Sequence, residues 1–292
     1  MFGQNRTGLP TALVLVLISA STAWGFAVDV LYAISGRGSS TLYILDDLGR
    51  ATAVGPMGAN ITDIAFYRGT FYGITSSKFY QIDPDTGAAS LVGLLHAGSL
   101  NALAVNPATG QAYAAGADGV FIRIDPATGA GTRIGSLGIA DGGRITAVGD
   151  LVFDPQGIRL YASVDWGPHG NSDYLATIDP STGVATIIGD IGYDKVYGLA
   201  FKDGGLYGVT GDEEFLRLDP LTGRGTEINH TGIRYYGMTA APVPSPVPVP
   251  NAVWLFGSGF VCLAGWGRQR RSRRRPGLVR SAPNCVSSHF DL

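Results

Sequence analysis

Cysteine is almost missing from this chain. There are two in 292 residues, Cys262 and Cys285, and both follow a proline run near the C-terminus. Residues 28–250 therefore carry no thiol, which excludes a disulfide framework and a cysteine nucleophile there. Charge is sparse as well, at 15%. What there is leans acidic: residues 28–250 hold 13 Lys+Arg against 22 Asp+Glu, near −9, although the whole chain reads −2. That balance argues against a nucleic-acid partner and favours solubility and cation association. No long stretch carries helical periodicity, and no Walker string or dinucleotide fingerprint follows a strand. Histidine is scarce too. Only His96, His169 and His230 fall in the domain, without a nucleophile-elbow string or a paired spacing, so neither a Ser–His–acid triad nor a zinc site is expected.

What the chain has instead is glycine (43 residues) and short runs of β-branched and aromatic residues, the profile of an all-β, turn-rich domain. The runs repeat. Tyr32, Tyr72, Tyr113, Tyr161 and Tyr207 occupy matching places, with spacings of 40, 41, 48 and 46 residues, the period of a four-stranded propeller blade. Each tyrosine is expected to pack inside its blade. Innermost strands are expected at Ile64–Phe66, Leu103–Val105, Leu151–Phe153 and Leu199–Phe201. A further one, Gly237–Ala240, stands alone before the prolines. The first unit, starting at Leu31, lacks an innermost strand, and the last strand lacks a unit. Pairing them predicts a five-bladed β-propeller of four-stranded blades, closed without an unpaired edge.

The strings Asp-Pro-x-Thr-Gly at Asp83, Asp125, Asp179 and Asp219 read as outer hairpin turns, since Asp bonds its own backbone, Pro presets φ and Gly accepts positive φ. A calcium reading of these acidic turns is weaker, because each offers only one or two carboxylates. Two connections exceed the repeat: residues 136–149, and 165–173. Both belong to connection types that emerge on one face of a propeller, where long loops on a rigid scaffold carry binding. Asp63 and Asp150, at the start of innermost strands, are expected at the channel mouth on that face. The candidate ligand site is Trp166, His169, Asn171 and Asp173. Asp63, Asp150 and Asp165 are candidate oxygen ligands for calcium, the one cofactor considered. Trp166 suits a sugar ring by stacking, or pins its loop to the blade.

The two ends differ from the middle. Residues 1–27 have the composition of a signal peptide: Arg6, an apolar run from Leu9 to Ala20, then small residues for cleavage near Gly25 or Ala27. The propeller spans 28–241 and a Pro-rich linker 242–251. An apolar segment at 252–267 is expected to be a single membrane helix, short for a span. An Arg-rich tail at 268–292 follows, with Arg268, Arg270, Arg271, Arg273, Arg274 and Arg275 on the cytoplasmic side.

The string VPVPNAVWLFGSGFVCLAGWGRQRR, with Val247, Pro248, Val249 and Pro250 as its motif, resembles the PEP-CTERM sorting signal in its VPxP form. The resemblance covers about 25 residues of the 292. Val249 stands where the namesake motif has Glu, and residues continue past the arginines to Leu292. The resemblance implies export in a Gram-negative-type bacterium, transient anchoring in the inner membrane, and cleavage near the motif by an exosortase, a membrane cysteine protease. The protein would then reach the cell surface or the extracellular matrix. Three functions fit this reading. The first is a non-catalytic binding or adhesion module for a polysaccharide or surface protein. The others are a propeller lyase or hydrolase with a cation at the channel mouth, and a purely structural matrix component. Fold alone does not choose among them.

Overall fold

Short alternating runs ended by glycine turns cannot bury a face alone, and in the computed structural model they assemble into five sheets. The structure describes residues 29–36, 38–167 and 172–242, with strands and no helix among them. The segments expected to be a signal peptide and a sorting motif, the apolar stretch and the arginine cluster lie outside these residues.

The first blade contains β1 (Asp29–Ser35), β2 (Thr41–Leu45) and β3 (Ala51–Pro56). The second is β4 (Asp63–Tyr67), β5 (Thr70–Ile74), β6 (Lys78–Ile82) and β7 (Ala89–Leu94), and the third β8 (Leu100–Val105), β9 (Ala112–Gly116), β10 (Val120–Ile124) and β11 (Gly131–Ser136). The fourth has five strands, β12 (Ile139–Ala140), β13 (Gly143–Phe153), β14 (Leu160–Trp166), β15 (Tyr174–Ile178) and β16 (Ala185–Asp190). The fifth is β17 (Val196–Lys202), β18 (Gly205–Thr210), β19 (Glu214–Leu218) and β20 (Gly225–His230). The last strand, β21 (Tyr235–Pro242), pairs antiparallel with β1 from Asp29↔Pro242 to Ser35↔Tyr235 and supplies the first blade's missing innermost strand. The ring closes as its sequence requires.

The repeated tyrosines are packing residues. Tyr72, Tyr113 and Tyr207 stack on Phe79, Phe121 and Phe215 of their own blades, 5.3–5.7 Å between ring centres. Tyr32 and Tyr161 instead meet Phe71 and Phe201 of the next blade. The Asp-Pro turns are scaffold too. Backbone N–H groups within the turn hold Asp83, Asp125 and Asp219 below the usual carboxylate range, and for Asp179 the Ser181 hydroxyl leads, followed by the turn's N–H groups and Thr182.

Blades meet along a seam that repeats with the chain. Gly55, Gly93, Gly135 and Gly189 lie on fourth strands where a Cβ would run into the carbonyl of Thr86, Thr128, Thr182 or Thr222, in the next blade's Asp-Pro turn. Only glycine permits that approach. Two residues on, Met57, Leu95, Leu137 and Ile191 are buried in the seam. The fifth seam is built differently. Its turn, Asp46-Asp47-Leu48-Gly49, is shorter, and Asn229 takes the glycine's place, donating from Nδ2 to the Leu48 carbonyl at 3.0 Å. Lys202 spans the same two blades to Asp47 at 2.8 Å.

Candidate functional site

Two acids close the middle of the ring. Asp63 on β4 and Asp150 on β13 occupy the tier that Gly237, Ala102 and Gly198 fill in the other blades, where small side chains leave the centre open. Both are 0% exposed. Asp63 accepts the N–H of Ile64 at 2.7 Å and that of Leu103 in the next blade at 2.6 Å. Asp150 accepts the N–H of Leu199 on β17, with the Leu151 and Met238 N–H groups also turned to it. The inner strands thus aim backbone donors inward, and two carboxyl groups receive them. The expectation that these acids open at the channel mouth is corrected here. Both side chains are wholly enclosed, and the N–H groups of Ile64, Leu103 and Leu199 are bonded to three of their four oxygens.

The two carboxyl groups also meet each other. Asp150 Oδ1 receives no N–H or O–H from the rest of the described residues, so the contact requires a proton between them. Burial first, then the charge of Asp150, pushes Asp63 well above the usual carboxylate range, and burial pushes Asp150 up as well. The pair therefore favours keeping a proton among the converging N–H groups over ionising both acids. It is an internal clamp joining blades.

The described parts of both long insertions do lie on one face, and there they meet. Residues 139–146 form a hairpin, with Asp141 and Gly142 at φ of 45° and 78°, the paired positive values of a two-residue turn. The hairpin continues into β13, whose Ile145 and Thr146 pair with Trp166 and Asp165 at the extended end of β14. Trp166 is half-buried. Its Nε1–H donates to the Ala140 carbonyl at 2.8 Å, and its ring meets Tyr174 edge-on at 5.2 Å. It pins the hairpin to the blade.

Replacing Trp166 with Ala should therefore cost about 1–3 kcal/mol, from the lost aromatic packing and the stranded carbonyl. It should also make residues 139–146 the first site of proteolysis. Trp166→Phe should recover most of the stability. A Trp166→Ala protein that melts like the parent and resists protease equally would refute the staple.

Beside the hairpin, Asp173 is 4% exposed and accepts the Val196 N–H at 2.7 Å. Burial pushes it up to about 7, opposed by that hydrogen bond and helped by the charges of Asp194 and Asp165. Asp165 itself is exposed at the end of β14. Tyr197 and Tyr236, one residue before Gly198 and Gly237 on their strands, stack at 5.6 Å with planes 12° apart. His169 and Asn171 lie outside the described residues. Trp166, Asp165 and Asp173 thus share a face, whereas Asp63 and Asp150 are enclosed below it. Among the described residues no three carboxylate, imidazole or thiol groups come together to hold a metal ion.

The opposite face has a feature that sequence reasoning missed. A cavity of about 440 Å³ opens there, walled by Ala65, Ala104, Val152, Phe153, Phe201 and Met238. Asp29, Asp154 and Asp203 also line it.

Residues 90–241, just over half the chain, match the family model described as "Repeat of unknown function (DUF6923)". The chain belongs to the DUF6923 family. No curated protein matches the sequence. Among solved structures, the chain is similar to one in the "Crystal structure of Nidogen/Laminin Complex", at 13% identity and a TM-score of 0.51, covering 73% of this chain and 98% of that one. It also resembles a structural genomics protein of unknown function from Bacteroides thetaiotaomicron, at 19% identity and a TM-score of 0.44, covering 70% and 58%. The first likeness supports the propeller fold and nothing finer. The DUF6923 match runs from β7 into β21, so it takes in three of the four glycine seams and the closing strand. The channel-facing positions gave the cavity no motif to find. Ala65, Ala104 and Val152 are ordinary strand residues until five of them are set around one axis.

Proposed function

We propose that this DUF6923 propeller is an exported binding module, held at the cell surface or in the extracellular matrix, that grips a polysaccharide on its insertion face. The observation that carries this is the stapled hairpin: Trp166, at the start of one insertion, holds the hairpin of the other on a closed ring. Beside that hairpin stand the Tyr197–Tyr236 pair and the exposed carboxylate of Asp165. Aromatic rings with adjacent polar acceptors suit a sugar's apolar face and its hydroxyls. Rigidity favours such a surface, because little ordering entropy is lost on binding. A same-fold chain occurs in a nidogen/laminin complex, an assembly between proteins, so capture of a surface protein is the other outcome to watch.

A glycan array probed with the purified protein, with and without calcium, tests the reading. Saturable retention that weakens in a Tyr197→Ala, Tyr236→Ala protein of normal melting temperature is expected. Turnover of a bound glycan, or retention of none, would overturn it. Export is read from the tail: the surface form should begin near Phe26 or Val28 and end near Val247–Pro250. Mass spectrometry of an intact C-terminus through Leu292 would remove the sorting step.

A further inference from the structure

The cavity on the face away from the insertions differs in chemistry from the insertion face. It has apolar walls: Ala65, Ala104, Val152, Phe153, Phe201 and Met238. Its inner end is set by Ile64 and Leu151, which directly follow Asp63 and Asp150 on their strands, so the enclosed acid pair stands immediately inward. At its outer end are Asp29, Asp154 and Asp203. Asp203 is held by Lys202 at 2.8 Å, and that lysine also reaches Asp47. Asp154 Oδ1 accepts the Ile158 N–H at 2.7 Å. Neither Asp29 nor Asp154 has an ion-pair partner among the described residues.

A cavity with apolar walls and carboxylates at its mouth selects its occupant. A neutral apolar group gains nothing from the acids, an anion is repelled, and a hydrated metal ion finds no ligands on alanine and valine walls. A slim aliphatic stem with a cationic head fits both parts, since lysine and arginine bury their methylenes along apolar surface while keeping the charge at a polar end. Low-dielectric walls focus the field of the acids on that head. The volume lies within the range of small-ligand sites and holds one side chain. The domain as a whole is near −9, so a basic partner is also drawn to it from a distance.

We propose that this cavity receives a single lysine or arginine side chain from a basic segment of a partner protein. The test uses the purified protein and four capped tripeptides, acetyl-Gly-X-Gly-amide, where X is lysine, arginine, norleucine or glutamate. Binding is followed by the methyl NMR signals of Val152, Ala104 and Met238. The lysine or arginine peptide should shift these signals saturably, and norleucine should bind at least fivefold more weakly. Asp29→Asn together with Asp154→Asn should reduce the cationic peptide's affinity toward that of norleucine, and so should added salt. Val152→Phe, which narrows the cavity, should abolish the shifts. Equal binding of norleucine and lysine, preferred binding of glutamate, or no shift with any peptide would overturn the proposal. These signals lie on the face opposite Trp166 and Tyr197, so loss of glycan binding would leave this result standing, and the reverse.

Discussion

A chain ended at Thr231 should fail to unfold cooperatively and should associate, whereas one ended at Val243 should give a single sharp transition. The two differ by β21, the only strand that the first blade borrows from the far end of the sequence. It is hydrogen-bonded along the length of β1, and its other side packs against β4 and β17, the inner strands of the flanking blades. Removing it takes away buried Tyr235, Met238 and Ala241. The two large side chains are worth roughly 1.5–3 kcal/mol each in apolar burial. It also strips the ladder from β1, leaving an apolar edge in water, and withdraws the Met238 N–H from Asp150. The sum approaches the whole stability of a typical domain, about 5–15 kcal/mol. Calorimetry and size-exclusion chromatography of the two proteins decide the matter. A monomeric Thr231 form with an unchanged transition would mean that the ring does not depend on its closure.

That closure is legible in the sequence, and the reason is physical. A blade is one supersecondary unit that cannot bury its faces alone, so it repeats with a readable period, and the stranded Gly237–Ala240 segment had one place to go. The turns were legible because Asp, Pro and Gly each have a local conformational role. The shared face of the two insertions followed from which connections were lengthened. The acids were harder. Asp63 and Asp150 were read from their position near a strand start, which placed them at a mouth. Their neighbours around the axis were the better guide: Gly237, Ala102 and Gly198 in the same tier leave space that only inward-pointing side chains can fill. Trp166 was read as a loop residue because nothing local says that β14 runs on to meet a hairpin 26 residues earlier. Asn229 shows the same limit. Its role depends on a turn near Leu48, at the other end of the chain. Local chemistry writes turns and strands into sequence, while contacts across the ring appear only once the ring is closed.

The acid pair yields the other large effect. Asp150→Ala should lower stability by about 2–5 kcal/mol, because it strands the buried Leu199 N–H and removes the acceptor facing Leu151 and Met238. Asp150→Asn should be far milder. Its carbonyl oxygen can accept the Leu199 N–H, and its amide can donate to Asp63, as the shared proton's bridge now joins the two side chains. The pH profile separates clamp from mere packing. Both folded-state acids titrate above their unfolded value of 3.8, so the folded protein holds a proton that the unfolded chain releases. The stabilisation is complete below that value and is lost as pH rises through the pair's own, higher titration. Wild type should thus melt at progressively lower temperature from mildly acidic toward neutral and basic pH, and Asp150→Asn should fall less steeply. Asp173, pushed up to about 7, adds a decline of the same sign between roughly pH 4 and 7. It is present in both proteins, so it cancels in the difference between their melting curves. A wild-type profile parallel to that of Asp150→Asn would mean that no proton is shared. An Asp150→Ala protein as stable as the parent would mean that the inner strands do not need the clamp.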